Sequence, residues 1–261
     1  MPADERLPPL SVPTDEPPDP ARELDADDAV ALLSRGDLSV EGRLIDASNG
    51  TLLCEVGADG VTALCVYKPV RGERPLWDFP DGTLAGREYA AYLTSEATGW
   101  NLVPPTVLRD GPYGPGMVQF WIHVDQTVDV EMMVRSGDPQ LRPMAVLDAV
   151  INNADRKGVH LLPTPAGDVY GCDHGLTFHA ETKLRTVLWA WRGDPFTAEE
   201  AAVVAALECD LEPGGRLRLA LAPHLTEREL DAAHRRAWVL AQTGLFPEPS
   251  GDWPAVPWPP F

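Results

Sequence analysis

Basic residues are scarce in this chain: Lys and Arg number 21 against 40 Asp and Glu, a formal net charge of -19 with a pI near 4.5. Such a balance argues against a nucleic-acid-binding surface and against a general affinity for anionic membranes. Cysteine is sparse too. Cys54, Cys65, Cys172 and Cys209 are widely scattered with no Cys-x-x-Cys pair, which removes the spacing of a zinc ribbon or a dithiol redox centre. Three of them fall in apolar contexts, where a thiol behaves as a small hydrophobe. No apolar run approaches the roughly 18 to 20 residues of a membrane span. The opening Met1-Pro-Ala-Asp-Glu lacks the basic then apolar pattern of a secretion signal. A cytoplasmic protein without stable membrane insertion is expected.

What is present is enough apolar material to fold. Hydrophobic residues make up 44% of 261 residues, with eight tryptophans, sufficient for one large domain or two small lobes. Both ends differ from the rest. Residues 1–23 hold seven prolines among acidic residues, a composition that cannot bury enough surface to offset its ordering, so a disordered tail is expected. Residues 246–261 are rich in Pro and Trp and cannot continue a helix. They are expected to pack back on the domain, the alternative being an extended peptide offered to a protein partner.

Between the tails the pattern changes several times. Asp25 to Ser34 reads as a short capped helix with acids in its first turn. From Leu38 to Lys68 three β-rich runs are separated by turns at Ala47-Ser-Asn-Gly50 and Gly57-Ala-Asp-Gly60, an antiparallel meander. Lys68 closes the third run, and Leu84 to Glu96 follows as a helix carrying Glu88. Leu102–Leu108 and Gly116–Ile122 read as two more strands. Thereafter helical periodicity dominates, with Val128–Val134, Asp138–Asn153, a capping box at Thr197-x-x-Glu200, a short helix at Leu217–Leu221 and a last helix from Thr226 to about Gln242.

The chemistry concentrates after the helix at 138–153. Asp155 and Arg156 enter a turn containing Gly158, His160 leads a short apolar strand, and Cys172-Asp-His-Gly175 follows. Phosphoryl transfer needs charge neutralisation and in-line positioning, with an acid near the acceptor hydroxyl and oxygen ligands for metal from at least two loops. The ordered set Lys68, Glu88, Asp155 and Asp173 resembles the catalytic and metal-binding elements of protein-kinase-like phosphotransferases, most closely the phosphatidylinositol 3-/4-kinase-like family in a compact actinobacterial form.

That resemblance implies an α+β, two-lobed protein-kinase-like fold, with an antiparallel-sheet N-lobe over residues 24–122 and a mainly helical C-lobe over 123–245. It implies ATP as cofactor, with Mg²⁺ or Mn²⁺. Lys68 would contact the phosphates and Glu88 orient it, with Ser48, Asn49 and Gly50 as the loop covering the phosphates. The hinge strand Gln119, Phe120 and Trp121 would read the adenine. Asp155 would act as base, Asp173 and His160 as metal ligands, and Lys183 and Arg185 as acceptor-binding cations. His160 stands where the family has Asn. Imidazole favours softer metals, and this departure leaves two alternatives open, a kinase-fold nucleotidyl transferase and a nucleotide-binding regulatory pseudokinase. The acceptor is a hydroxyl on an unidentified small molecule, lipid headgroup or protein.

Overall fold

The computed structural model describes residues 24–44 and 50–261. The expected tail over residues 1–23, together with Ser48 and Asn49 of the first turn, lies outside these residues. The described residues fall into two compact units, one of those up to residue 85 together with 105–121 and one of residues 86–104 with 122–261.

The first unit is built on period-two alternation. Helix α1 (Ala26–Arg35) opens at Asp25, whose carboxylate accepts from the Asp28 N–H at 2.8 Å, and stops at Gly36. Strands β1 (Asp37–Arg43), β2 (Leu52–Ala58) and β3 (Val61–Pro69) form the meander. Asp59 and Gly60 both take left-handed φ (53° and 79°) between β2 and β3, the handedness a two-residue hairpin requires. Strands β4 (Thr106–Gly111) and β5 (Gly114–Phe120) complete a five-stranded antiparallel sheet in the order β1-β2-β3-β5-β4. β4 begins four residues later than its apolar pattern suggests, because Pro104 and Pro105 supply no N–H to a ladder. The core joins Leu32 and Leu33 of α1 to Leu52, Cys54, Val56, Cys65, Tyr67, Val107 and Val118 of the sheet. Arg109 anchors the helix by donating to the carbonyls of Leu33 and Gly36. Lys68 pairs in register with Met117 on β5. Beside it Gly116 permits the close approach, since a Cβ there would lie 2.5 Å from the Lys68 carbonyl oxygen.

The second unit is mainly helical. It holds helix α2 (Leu84–Thr98) from Gly86 onward, α3 (Val130–Ser136), α4 (Arg142–Ile151), α5 (Ala198–Leu211), α6 (Arg216–Leu221) and α7 (Glu227–Thr243), with a small hairpin of β6 (Leu161–Pro163) and β7 (Val169–Gly171). Sequence pattern puts the helix carrying Glu88 with the sheet, whereas most of α2 groups with the helical unit. The reason is electrostatic. Arg87, 1% exposed, pairs with Glu229 at 2.5 Å and donates to the Thr177 carbonyl, and Glu229 is also the capping-box acid of α7. Glu200 plays the same double part, capping α5 at Thr197 while taking Arg142 through both oxygens at 2.8 Å. Each acid thus joins a helix start to another element, and burial of these pairs makes their geometry specific. Among the described residues no helix is long and apolar enough to cross a membrane.

Candidate active site

The loop that carries Asp155 is assembled by two asparagines. Helix α4 is buried from Met144 through Ile151 and ends because Asn152 adopts the left-handed conformation (φ 54°, ψ 52°), which Asn tolerates better than most residues. The Asn152 amide then donates to the His179 and Glu181 carbonyls, and its oxygen accepts the Lys183 N–H at 2.9 Å. Asn153 donates to Asp148 Oδ1, and its own oxygen accepts the Asp155 N–H at 3.0 Å. These contacts fix where α4 stops and the loop turns. Neither asparagine aligns with a metal ligand in the sequence; the structure makes both of them builders of the loop.

Arg156 is the hub beneath it. The side chain is wholly buried and grips Asp148 of α4, with Nε 3.0 Å from Oδ2 and Nη2 2.9 Å from Oδ1. Nη1 donates to the Cys172 carbonyl at 3.0 Å, and Nη2 lies 2.5 Å from His174 Nε2. A guanidinium can only donate, so His174 Nε2 accepts and the ring proton sits on Nδ1. The His174 backbone N–H in turn donates to Glu88 Oε2 at 2.8 Å. One cation therefore holds the Asp155 loop and the Asp173 loop together, with Glu88 bound to the second. Asp148, Arg156 and His174 had no assigned role on sequence grounds. The available signal was an acid inside a helix face whose neighbours are all apolar, eight residues before an arginine.

The groups that remain for chemistry lie on these two loops. Asp155 and Lys157 form an ion pair at 3.0 Å, each about a fifth to a quarter exposed. Burial pushes the Asp155 carboxyl above the usual range and nearby Asp173 adds to this, while Lys157 and, more weakly, Arg185 pull it down. Asp173 takes φ 60°, a conformation Asp tolerates, and presents Oδ2 3.5 Å from His160 Nε2. His160 closes a short 3-10 turn (Gly158–His160) that precedes β6, so it is delivered by a turn and not by the strand itself. Its Nδ1 accepts the Lys157 backbone N–H at 3.4 Å, which leaves the ring proton on Nε2, facing Asp173. Metal ligation through Nε2 requires the other neutral tautomer, with the ring proton on Nδ1 and the Lys157 N–H contact given up. Asp173 is exposed enough to reach a cation, at 39% of its side-chain surface. Among the described residues the grouping of three ligand atoms close enough to hold an ion unaided is Glu208, Glu212 and His234, none of them on these loops. An ion at Asp173 would therefore complete its shell with water and phosphate oxygens, as Mg²⁺ commonly does.

The other predicted residues are distributed as follows. Lys68 is half-buried on β3, and Gly50 lies beside Gly72, to whose carbonyl it donates its N–H. Gln119 is buried with its amide turned onto Thr106 Oγ1 at 2.9 Å, while Phe120 and Trp121 are half-buried at the end of β5. Lys183 is buried, its ammonium 4.8 Å from the centre of the Trp253 ring, and Arg185 is half-buried on the segment that pairs with Arg156. A cleft of about 340 Å³ opens elsewhere, in the loop after β3 between Val70, Arg74, Phe79 and Leu84, and contains none of the predicted residues.

A meander-based sheet followed by a mainly helical unit gives an α+β architecture of the protein-kinase-like type. Consistent with that, the chain resembles the crystal structure of a Helicobacter pylori proinflammatory kinase, CtkA, with a TM-score of 0.50 at 11% identity over 82% of this chain and 94% of the other. At that identity the likeness establishes the two-lobed kinase-like fold and nothing finer. It does not single out the phosphatidylinositol kinases. No family model matches the chain. It is 45% identical over 270 residues to Protein Rv2133c of Mycobacterium tuberculosis, spanning 90% of this chain and 96% of that protein, and belongs to the same family.

Proposed function

We propose that this protein is a metal-assisted, ATP-dependent phosphotransferase that moves the γ-phosphate to a hydroxyl. The observation that carries the reading is the pair of acidic loops: Asp155 and Asp173 close enough for one charge to act on the other, on segments locked by the buried Arg156. Phosphoryl transfer asks for little covalent chemistry from a protein and much positioning, which is what such a clamp supplies. Asp155 takes the proton of the acceptor hydroxyl. Its raised proton affinity suits a base that must accept a proton near neutral pH. Lys157, already on Asp155, places positive charge beside the transferring group. Asp173 is the carboxylate that would hold the metal, joined by His160 in its other neutral tautomer, with the ring proton on Nδ1 and Nε2 able to ligate. The ion, when bound, neutralises charge on the phosphate oxygens. Lys68 keeps the part the resemblance implies, on the phosphates, while Glu88 is engaged within the second unit, where its carboxylate accepts the His174 N–H.

Incubation of the purified protein with α- and γ-labelled ATP, Mg²⁺ or Mn²⁺ and a cell extract tests the reading. Transfer of the γ label alone supports it. Transfer of the α label points to nucleotidyl transfer, and binding without transfer to a pseudokinase.

A further inference from the structure

The segment from Leu176 to Val187 runs along the catalytic loop, and its outer edge is already occupied. The Thr186 N–H donates to the Ala255 carbonyl at 3.0 Å, and the Trp189 indole N–H donates to the same oxygen at 2.8 Å. The Gly158 N–H donates to the Pro260 carbonyl at 2.7 Å. Trp253 covers the Lys183 ammonium, and the Phe261 ring lies where any side chain at position 158 would have to go. Residues 253–261 therefore trace the edge against which an incoming chain would pair.

An extended peptide is recognised largely by pairing its backbone with unpaired N–H and C=O groups. Two N–H groups that could do so next to Asp155 are taken, and Pro254, Pro257, Pro259 and Pro260 give the covering segment no N–H of its own at those positions. What stays accessible is narrower. Asp155 keeps about a quarter of its side-chain surface. Arg185 is half-buried, and its buried Nε has no hydrogen-bond partner among the described residues. Lys183, the other candidate cation, faces Trp253 instead.

Resting on the phosphotransferase reading above, we propose that residues 253–261 form a fixed wall of the acceptor site. The acceptor is then a small soluble hydroxyl compound bearing a carboxylate or phosphate, its anionic group on Arg185 and its hydroxyl on Asp155. In the step the acceptor O–H bond breaks with its proton passing to Asp155. The acceptor oxygen bonds to the γ-phosphorus, and the bond from that phosphorus to the β–γ bridging oxygen breaks to release ADP.

The test uses the full chain, a Trp253→Ala/Phe261→Ala variant and a deletion of 253–261, each given γ-labelled ATP and three acceptor pools. The pools are anionic polyols below membrane size from a cell extract, a randomised Ser/Thr/Tyr peptide library, and phosphatidylinositol vesicles. Hydrogen exchange at the Gly158 and Thr186 amides is followed in parallel. The full chain should label the soluble pool at least about tenfold faster than peptides or vesicles, a preference that selective binding energy of little more than 1 kcal/mol supplies. Both amides should be protected, and tail variants should lose that protection and gain peptide labelling. Labelling of peptides or vesicles by the full chain as fast as the soluble pool overturns the acceptor assignment while leaving the phosphotransferase reading intact. Unchanged exchange in the deletion overturns the wall. Absence of γ transfer to every pool by all three proteins removes the phosphotransferase reading and the acceptor with it.

Discussion

Replacing Arg156 by methionine removes one partner of an ion pair in which neither side chain is exposed to water. Two unit charges about 3 Å apart attract by roughly 6 kcal/mol at an effective dielectric near 20, but withdrawing each from water costs several kcal/mol, so the intact pair adds little net stability. The single substitution is different. It leaves Asp148 buried with, among the described residues, the Asn153 amide and the Thr186 hydroxyl as its side-chain donors, at 2.9 and 3.2 Å. Orphaning one charge of such a pair costs about 3 to 5 kcal/mol, a large share of the roughly 5 to 15 kcal/mol that holds a domain folded. At about 2 to 4 °C per kcal/mol for a chain of this size, the unfolding midpoint should fall by about 6 to 20 °C, read by calorimetry or near-ultraviolet circular dichroism. The double variant Asp148→Leu/Arg156→Met should recover most of that loss, because two apolar groups can replace a buried pair at little cost. It should not recover phosphotransfer, since Cys172 and His174 remain without their clamp. A single variant that loses less than about 1 kcal/mol, or a double variant less stable than the single one, would refute the account of Arg156 as a hub.

Other outcomes follow from the same contacts. A base works only when ionised, and burial holds the Asp155 carboxyl above the ordinary range. Activity should therefore be lost, as pH falls, at a higher pH than an exposed aspartate would give. Lys157→Met, which removes the main influence pulling that carboxyl down, should move the acid limb of the kcat/KM profile further up. For stability the sign is opposite to that of a salt-bridged acid: the folded carboxyl binds its proton more tightly than the unfolded one. The contribution is thus fully present below the unfolded pKa and fades as pH rises through the raised one. Thr226→Ala should cost about 1 kcal/mol for the lost cap, measured by urea unfolding. It should cost more than Thr197→Ala, because Arg87, the partner of the Thr226 box acid Glu229, is buried more deeply than Arg142, the partner of Glu200.

Local patterns in the sequence account for most elements. The meander from Leu38 to Lys68 follows from period-two alternation broken by turn residues, and α5 and α7 from their Thr-x-x-Glu starts, because both signals depend only on neighbours within a few positions. β4 was displaced by Pro104 and Pro105, which an apolar count ignores. The site divides along the same line. Asp155, Asp173 and His160 are singled out by the resemblance of their motifs, and the structure brings them onto adjoining loops. Arg156 and Asp148 are not, because an arginine in a turn ordinarily faces water, and only the tertiary fold buries it against a helix eight residues back. Lys183 carries the same lesson in reverse: a charged residue on a loop looks solvent-facing until a tryptophan seventy residues later covers it.

The most direct test of the central claim is single-turnover transfer of γ-phosphate by the native protein and by Asp155→Asn, with ATP affinity measured on both. Loss of a general base should slow transfer by about 10² to 10⁴ while nucleotide binding and thermal stability stay close to native. Transfer by Asp155→Asn at the native rate would contradict the assignment of this loop as the catalytic one.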